Sequence, residues 1–271
     1  MLAECVEKIT TWWRDPANYN MALMAYKSMP PLIAPLLFWI DAPYGRFAGK
    51  LIVDWNLPGK LTWCLMEVLS PVAYAVSMTT IGSWSQSSSS QKLLTGLWMA
   101  HYTNRAIIHP YRAPSMAPIN VITMLASVVF NFLNGYTNGM WNARNTFDIA
   151  TPRVMLGVAL WLTGLSINIY HDSVLFNLRR QRRQQSSSSN QQRYFIPYDG
   201  LFKLVSCPNY LGEMIEWTGY AIIAWPSAPA NVFALATVAN LGPRAVRTHA
   251  WYKQKFTDYP RTRKALIPFL F

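Results

Sequence analysis

The sequence predicts an all-α fold, a polytopic membrane protein built as a bundle of about seven transmembrane helices, and three observations carry that prediction. Apolar residues make up 52% of the 271 and charged residues only 13%, about half of what a soluble domain uses to solvate its surface. The apolar residues gather into stretches near the roughly 20 residues a helix needs to cross a bilayer. Lysine and arginine then collect between alternate stretches, as the positive-inside rule requires of cytoplasmic loops.

Seven stretches qualify, at about 21–40, 61–82, 93–110, 118–140, 153–176, 209–225 and 228–245. The first includes Lys27, Pro30 and Pro31, the second Glu67 and Pro71, the fifth Asp172, and the sixth Glu213 and Glu216. Hydropathy alone therefore leaves the count open, and the loops supply the second test. With the N-terminus outside, 18 of the 24 Lys and Arg fall inside. They lie in a loop with Arg46, Lys50 and Lys60, at Arg105 and Arg112, between Arg179 and Lys203, and between Arg244 and Lys264. That distribution accounts for the net charge of +12 without nucleic acid, which would call for one contiguous basic face.

Residues 1–20 read as an N-terminal segment whose mixed charges do not suit a cleavable signal. Residues 21–271 read as one membrane domain with an ordered, cytosolic C-terminal tail. The Ser/Gln-rich runs at 84–92 and 179–193 cannot bury apolar surface and read as mobile loops. Cys5, Cys64 and Cys207 contain no C-x-x-C pair, and His101, His109, His171 and His249 have no metal-ligand spacing, so neither a disulfide framework nor a metal site is expected. Neither G-x-G-x-x-G nor a phosphate loop occurs, which removes the two common soluble nucleotide folds.

An ionisable side chain within a span costs at least about 2.5 kcal/mol on insertion scales, so each needs a reason. In the fifth span Asn168, Asp172 and Arg179 lie within about 40° of one another on a helical wheel. In the sixth, Asn209, Glu213 and Glu216 form a second stripe, with Trp217 beside it. Such stripes either pair across a bundle or line a water-accessible cavity; their place near the cytoplasmic ends, beside Arg179, Arg244 and Arg247, favours a cavity entered by a phosphorylated ligand. Asn209, after Pro208, also suits a helix start. Glu67 has no basic neighbour in Leu61–Leu69, and burial without a cation favours the protonated carboxyl, a hydrogen-bond donor able to polarise a carbonyl. A structural Glu bonded to a neighbouring helix is the plainer alternative, as an interfacial aromatic is for Tyr102.

The run Asn209-Tyr-Leu-Gly-Glu213-Met-Ile-Glu216-Trp217-Thr-Gly-Tyr220, with Arg244-Ala, Trp251-Tyr252 and Lys255-Phe-Thr-Asp-Tyr259-Pro-Arg-Thr-Arg263-Lys-Ala-Leu-Ile-Pro268-Phe-Leu-Phe271, closely resembles the steroid 5α-reductase family. The likeness extends upstream through Asn168-Ile-Tyr-His-Asp172, Arg179, Tyr194-Phe-Ile-Pro197, Gly200-Leu-Phe202, His101-Tyr102 with Arg105, Ala42-Pro-Tyr-Gly45-Arg46 and the Glu67 region. It implies a seven-helix reductase of the endoplasmic reticulum membrane that uses NADPH to saturate the Δ4 double bond of a 3-oxo steroid. By that resemblance Glu67 and Tyr102 contact the steroid 3-ketone. Asn168, Asp172, Arg179, Tyr194, Asn209, Glu213, Arg244 and Tyr252 hold the cofactor, and Trp217 flanks cofactor or substrate. Two features depart from the family: Thr248, followed by His249, stands where members usually carry His, and the segment from Arg180 to Gln192 is longer and richer in Ser and Gln. A related membrane reductase acting on trans-2-enoyl-CoA or a polyprenal is the leading alternative. A transporter or a non-catalytic sterol-binding protein is another, though no paired repeat of the transporter kind is visible.

Overall fold

A computed structural model describes residues 2–39, 55–185 and 194–271. The Ala42–Arg46 part of the family likeness, the loop cations Arg46, Lys50 and Arg193, and residues 186–193 of the second Ser/Gln run lie outside the described residues.

Each of the seven apolar stretches coincides with helix. Pro16 opens α2 (Pro16–Trp39) directly after an amphipathic α1 (Leu2–Arg14) that falls within the segment set apart as N-terminal. Trp13 Nε1 donates to Ser77 Oγ at 2.9 Å and Arg14 Nε to the Thr80 carbonyl at 2.8 Å, which fastens α1 to the end of α3 (Gly59–Ile81). The serine-rich run before the next helix is not a mobile loop. Its Trp84–Gln86 part is a 3-10 turn, and Ser88 and Gln91 form a reciprocal capping box that starts α4 (Ser89–Tyr102). Serine and glutamine are what such a cap requires, because they satisfy the free amides of a first turn.

The third stretch is helical throughout but changes its winding. After α4 come a π-helical segment, Thr103–Ile108, and a short α5, His109–Arg112. Asn120 caps α6 (Val121–Arg144), its side chain accepting from the Ile122 amide at 3.0 Å. α7 (Pro152–Gln185) and α9 (Ala228–Lys255) run well past the ends predicted for their apolar parts, while α8 (Pro208–Ile223) nearly matches its own. The fold is mostly helical and not purely so, since β1 (Asn56–Leu57) pairs antiparallel with β2 (Ile119–Asn120) at the starts of α3 and α6. Among the described residues, Gly59–Ile81 and Pro152–Gln181 are long and apolar enough to cross a bilayer by length and composition alone, with mean hydropathy 1.4 in each.

The antiparallel α7 and α8 approach almost backbone to backbone. A Cβ on Gly212 would lie 2.6 Å from the Asn168 amide nitrogen and 2.7 Å from the Gly164 carbonyl, and one on Gly219 would lie 2.6 Å from the Gly157 carbonyl. Small residues seven apart on both helices are thus a condition of the seam, a pattern also used where helices pack closely in membranes. Around it, Trp98 packs on Tyr74, Tyr102, Trp217, Tyr220 and Phe233 with ring centroids 4.8–5.5 Å apart.

Beyond α9 the chain returns to the segment before α8. Ser206 N donates to the Lys264 carbonyl at 2.9 Å, Lys264 N to the Leu204 carbonyl at 2.9 Å, and Cys207 N to the Ala265 carbonyl at 3.2 Å. Ser206 Oγ lies 2.6 Å from both His249 Nδ1 and Tyr259 Oη. Burial, with Lys253, Arg263 and Lys264 nearby, holds His249 below its usual pKa. The neutral imidazole is therefore the form the fold favours, and its contribution is complete above the unfolded-state value and lost as pH falls beneath it.

Gly212→Ala should lower the thermal midpoint in detergent, with a cost of about 1–3 kcal/mol for the forced separation; an unchanged midpoint would show that the seam is not as close as described. Trypsin cleavage after Arg261 should accelerate as pH drops below about 6.5, the region where histidine titrates, and lose that pH dependence in His249→Asn. Cleavage rates that track the protease's own pH profile in both proteins would contradict this.

Candidate active site

The charged residues of the apolar helices meet in one group. Glu67 lies on α3 four residues before Pro71, which offers no amide to the Glu67 carbonyl and so opens the helical ladder at that turn. Arg105, from the π-helical segment, lies between two acids: its Nε is 4.0 Å from Glu67 Oε1 and its Nη2 is 3.9 Å from Glu213 Oε2 on α8. Trp63 supports it from one helical turn before Glu67. Its ring lies 4.6 Å from the guanidinium and its Nε1 donates to the Arg105 carbonyl at 3.0 Å. The expectation that Glu67 has no cationic neighbour is corrected, because the cation arrives from another helix and could not be seen in the local sequence.

Asp172 joins three elements. Its Oδ1 accepts from Asn209 Nδ2 of α8 at 2.9 Å, and its Oδ2 lies 3.1 Å from His109 Nδ1 of α5. Asn168, one turn earlier on α7, donates to the Asn209 carbonyl at 3.0 Å. Asn209 is therefore both a first-turn residue of α8 and a partner of the α7 stripe. His109 in turn stacks on Trp63, with centroids 5.8 Å apart, and meets Phe176 edge-on at 5.0 Å, a ring that lies 5.9 Å from the Arg179 guanidinium.

Tyr102, 3% exposed, is the last residue of α4, and its oxygen accepts from Asn134 Nδ2 of α6 at 3.0 Å. Beside it, His101 Nδ1 lies 2.7 Å from Glu216 Oε1, a pair enclosed in the core. Trp217 is buried too, 4.5 Å from the His101 ring and 6.3 Å from the Tyr102 ring. An apolar slot of about 300 Å³ runs between α3 and the α4 to π-helical segment, walled by Val68, Pro71, Val72, Met99, Tyr102 and Ala106 among others. The slot is open on one side, where Val68, Val72 and Ile107 are exposed, and Tyr102 lies on its wall.

Tyr194 and Tyr252 fall elsewhere, in an aromatic cluster with Trp251, Phe256 and Tyr259. Tyr194 meets Trp251 edge-on at 4.9 Å, and Tyr252 stacks on Tyr259 at 5.3 Å. The guanidinium of Arg263 lies on the other side, 4.9 Å from Tyr259 and 5.2 Å from Tyr198. Arg263 is 2% exposed and its three nitrogens find no hydrogen-bond acceptor among the described residues. A buried cation in that condition suits an anionic ligand such as a phosphate. Arg244 Nη2 donates to Tyr210 Oη at 3.1 Å, at the start of α8. Among the described residues, no side-chain hydrogen bond or ion pair involves Thr248.

Arg105, His101, His109 and Asn134 are central to this geometry and were not among the expected site residues. For the first three the signal was present: His101, Arg105 and His109 recur every four residues. In an α-helix such a row drifts around the axis, whereas a π-helical turn, closed by i→i+5 bonds, is wider and brings the row back toward one face.

His101→Leu should destabilise the protein by about 3–5 kcal/mol, since it leaves the Glu216 carboxyl enclosed without a partner, and adding Glu216→Met should recover most of that loss. Thermal unfolding of the two single variants and the double variant checks the cycle; additive losses would mean that the pair is not coupled.

The sequence pattern of the family described as 3-oxo-5-alpha-steroid 4-dehydrogenase matches residues 117–271, more than half the chain. That match includes the residues from Asn168 to Tyr252 and begins after Glu67 and Tyr102. Among full-length relatives, 3-oxo-5-alpha-steroid 4-dehydrogenase 1 of Bos taurus is 33% identical over 241 residues, 87% of this chain and 90% of its own length. Steroid 5-alpha-reductase DET2 of Solanum lycopersicum is 33% identical over 264 residues, 94% of this chain and 96% of its own length. An uncharacterized protein of Schizosaccharomyces pombe is 36% identical over 265 residues, 88% of this chain and 94% of its own length. With that coverage, and with the charged residues of the family likeness gathered between α3, α7 and α8, the chain belongs to the steroid 5-alpha-reductase family, the 3-oxo-5-alpha-steroid 4-dehydrogenases.

Proposed function

We propose that this chain is a multi-pass enzyme of the endoplasmic reticulum membrane that uses NADPH to reduce the Δ4 double bond of 3-oxo steroids, giving 5α-3-oxo steroids. The observation that carries this reading is the Arg105 guanidinium, 4.0 Å from Glu67 and 3.9 Å from Glu213. It stands between the acid expected to meet the ketone and an acid expected to meet the cofactor. Seven crossings follow if α2, α3, α4 with its π-helical continuation, α6, α7, α8 and α9 each span the bilayer. The basic residues of Arg112, Arg179 and the α9 tail then share the cytosolic side.

The donor set suits a phosphorylated dinucleotide, above all the buried Arg263, whose guanidinium lies against two tyrosine rings and meets no carboxylate among the described residues. In this reading Asn168, Asp172, Arg179, Tyr194, Asn209, Glu213, Arg244 and Tyr252 hold NADPH, which when bound supplies the hydride delivered to C5 on the α face. The chain's own task lies at the other end of the conjugated system, where charge develops on the C3 oxygen. Stabilising that oxygen in the transition state, and not the ground-state ketone, is what accelerates the step. Glu67 and Tyr102 donate hydrogen bonds to it. In this reading the Glu67 carboxyl is the protonated form. The enolate that results is then protonated at C4. Trp217, packed against His101 and near Tyr102, flanks cofactor or substrate in this reading.

Reduction of another conjugated lipid remains the second reading, since the slot beside Tyr102 is lined by apolar side chains without steroid-specific polar groups. An enoyl-CoA would bring additional phosphates, so free CoA should compete with such a substrate and leave steroid reduction untouched.

Glu67→Gln should lower turnover of a 3-oxo-Δ4 steroid by about 10²–10³-fold, the usual cost of losing one donor to a developing oxyanion, while NADPH binding persists. NADPH oxidation by the detergent-purified protein with testosterone, progesterone, an enoyl-CoA and a polyprenal is the measurement. Undiminished steroid turnover by the variant would remove Glu67 from the mechanism.

A further inference from the structure

The hydrogen bonds around Tyr102 determine which way its proton points. Asn138 Nδ2 lies 3.0 Å from the backbone carbonyl of Asn134, a group that can only accept, so this end of the Asn138 amide is the NH2. The same nitrogen lies 3.1 Å from the near atom of the Asn134 side-chain amide, which must then be its oxygen, Oδ1. Tyr26 donates its hydroxyl to that oxygen as well, at 2.7 Å. With Oδ1 committed to two donors, the other end of the Asn134 amide is the NH2, and it faces the Tyr102 oxygen at 3.0 Å. An NH2 only donates. The phenol oxygen therefore accepts, and its own hydrogen must point elsewhere. The buried Ser70 hydroxyl of α3 lies beside the phenol and has no other hydrogen-bond partner, so it and the substrate pocket are the two places left for that hydrogen.

Tyr26 and Asn134 are wholly buried, and Asn138 and Tyr102 are 2% and 3% exposed, so water does not rearrange this chain of donors. Within the Tyr26–Asn134–Asn138 part of the network every contact pairs a donor with an acceptor, and flipping the Asn134 amide would set donor against donor.

We propose that Asn134 is a positioning residue for the reaction: by donating to the Tyr102 oxygen it turns the phenol O–H toward the substrate pocket, so that Tyr102 meets a substrate carbonyl as a donor. Tyr26, on α2, and Asn138 lock the orientation of the Asn134 amide. The inference rests on the reading of Tyr102 as a ketone ligand and adds what makes it one. A tyrosine free to rotate would spend part of its time presenting a lone pair to the ketone oxygen, an unproductive contact.

Asn134→Asp is the direct test, because a carboxylate in the same place accepts where the amide donates and draws the Tyr102 proton away from the pocket. The expected result is a fall in kcat for a 3-oxo-Δ4 steroid of about 10²-fold, the scale of losing one oxyanion donor. NADPH binding, followed by its fluorescence on the protein, should not change. In a Tyr102→Phe background the same substitution should cost less than about twofold, since residues acting through one another are strongly non-additive. Should Asn134→Asp fail to fold, Asn134→Leu gives a second route: it removes the donor, is expected to lower kcat by about tenfold, again within the scale of one oxyanion donor, and should also have no further effect beside Tyr102→Phe. If Tyr102→Phe is impaired but either Asn134 substitution costs the same with and without the phenol, the positioning role is wrong and the reading of Tyr102 stands. If Tyr102→Phe keeps full turnover, both are overturned.

Discussion

A carboxyl enclosed by apolar helices cannot remain charged alone, and the arrangement of this bundle follows from that constraint. Each of the four acids on the apolar helices α3, α7 and α8 meets a cation or an imidazole from a different helix. Glu67 and Glu213 share Arg105, Asp172 meets His109, and Glu216 meets His101. All three partners come from one short stretch, the end of α4 with its π-helical continuation and the start of α5. That stretch faces α3 on one side and α7 with α8 on the other, so placing it correctly assembles the whole polar interior at once.

The polar contacts are short because the backbone allows it. Glycines on α7 and α8 let the two helices approach until a methyl group would collide, and at that distance Asn168 reaches the first turn of α8. Buried polar groups in such a seam are worth having only if each is satisfied, since an unpaired one costs about 1–3 kcal/mol. The C-terminal tail contributes at the other end. By bonding the segment just before Pro208 it fixes where α8 begins, and hence where Asn209 and Glu213 stand.

The π-helical segment explains why the site's polarity is concentrated where it is. Such a turn is rarely stable for its own sake and recurs at functional sites. Here it follows Tyr102 directly and carries Arg105, across from the turn of α3 loosened by Pro71. The apolar slot lies between these two irregular turns, with the aromatic core around Trp98 behind it. Irregular backbone within a membrane protein is tolerated where it faces protein or a cavity and not where it faces lipid.

Periodicity and charge made much of this legible in advance. Spacing alone put Asn168 with Asp172 and Asn209 with Glu213 on common faces, since a helix brings residues three and four apart together whatever surrounds it. Composition and hydropathy located the helices for the same reason: apolar length and loop charge are properties of a segment by itself. What lay beyond the sequence was every relation between segments. The Ser/Gln run before α4 read as a loop because its capping partner is a matter of backbone geometry, and Glu67 read as isolated because its cation belongs to another helix. The direction of the Tyr102 hydroxyl depends on amides from α6 and a phenol from α2, so only packing decided it, because hydrogen-bond direction is set by three-dimensional neighbours and leaves no trace in the order of residues.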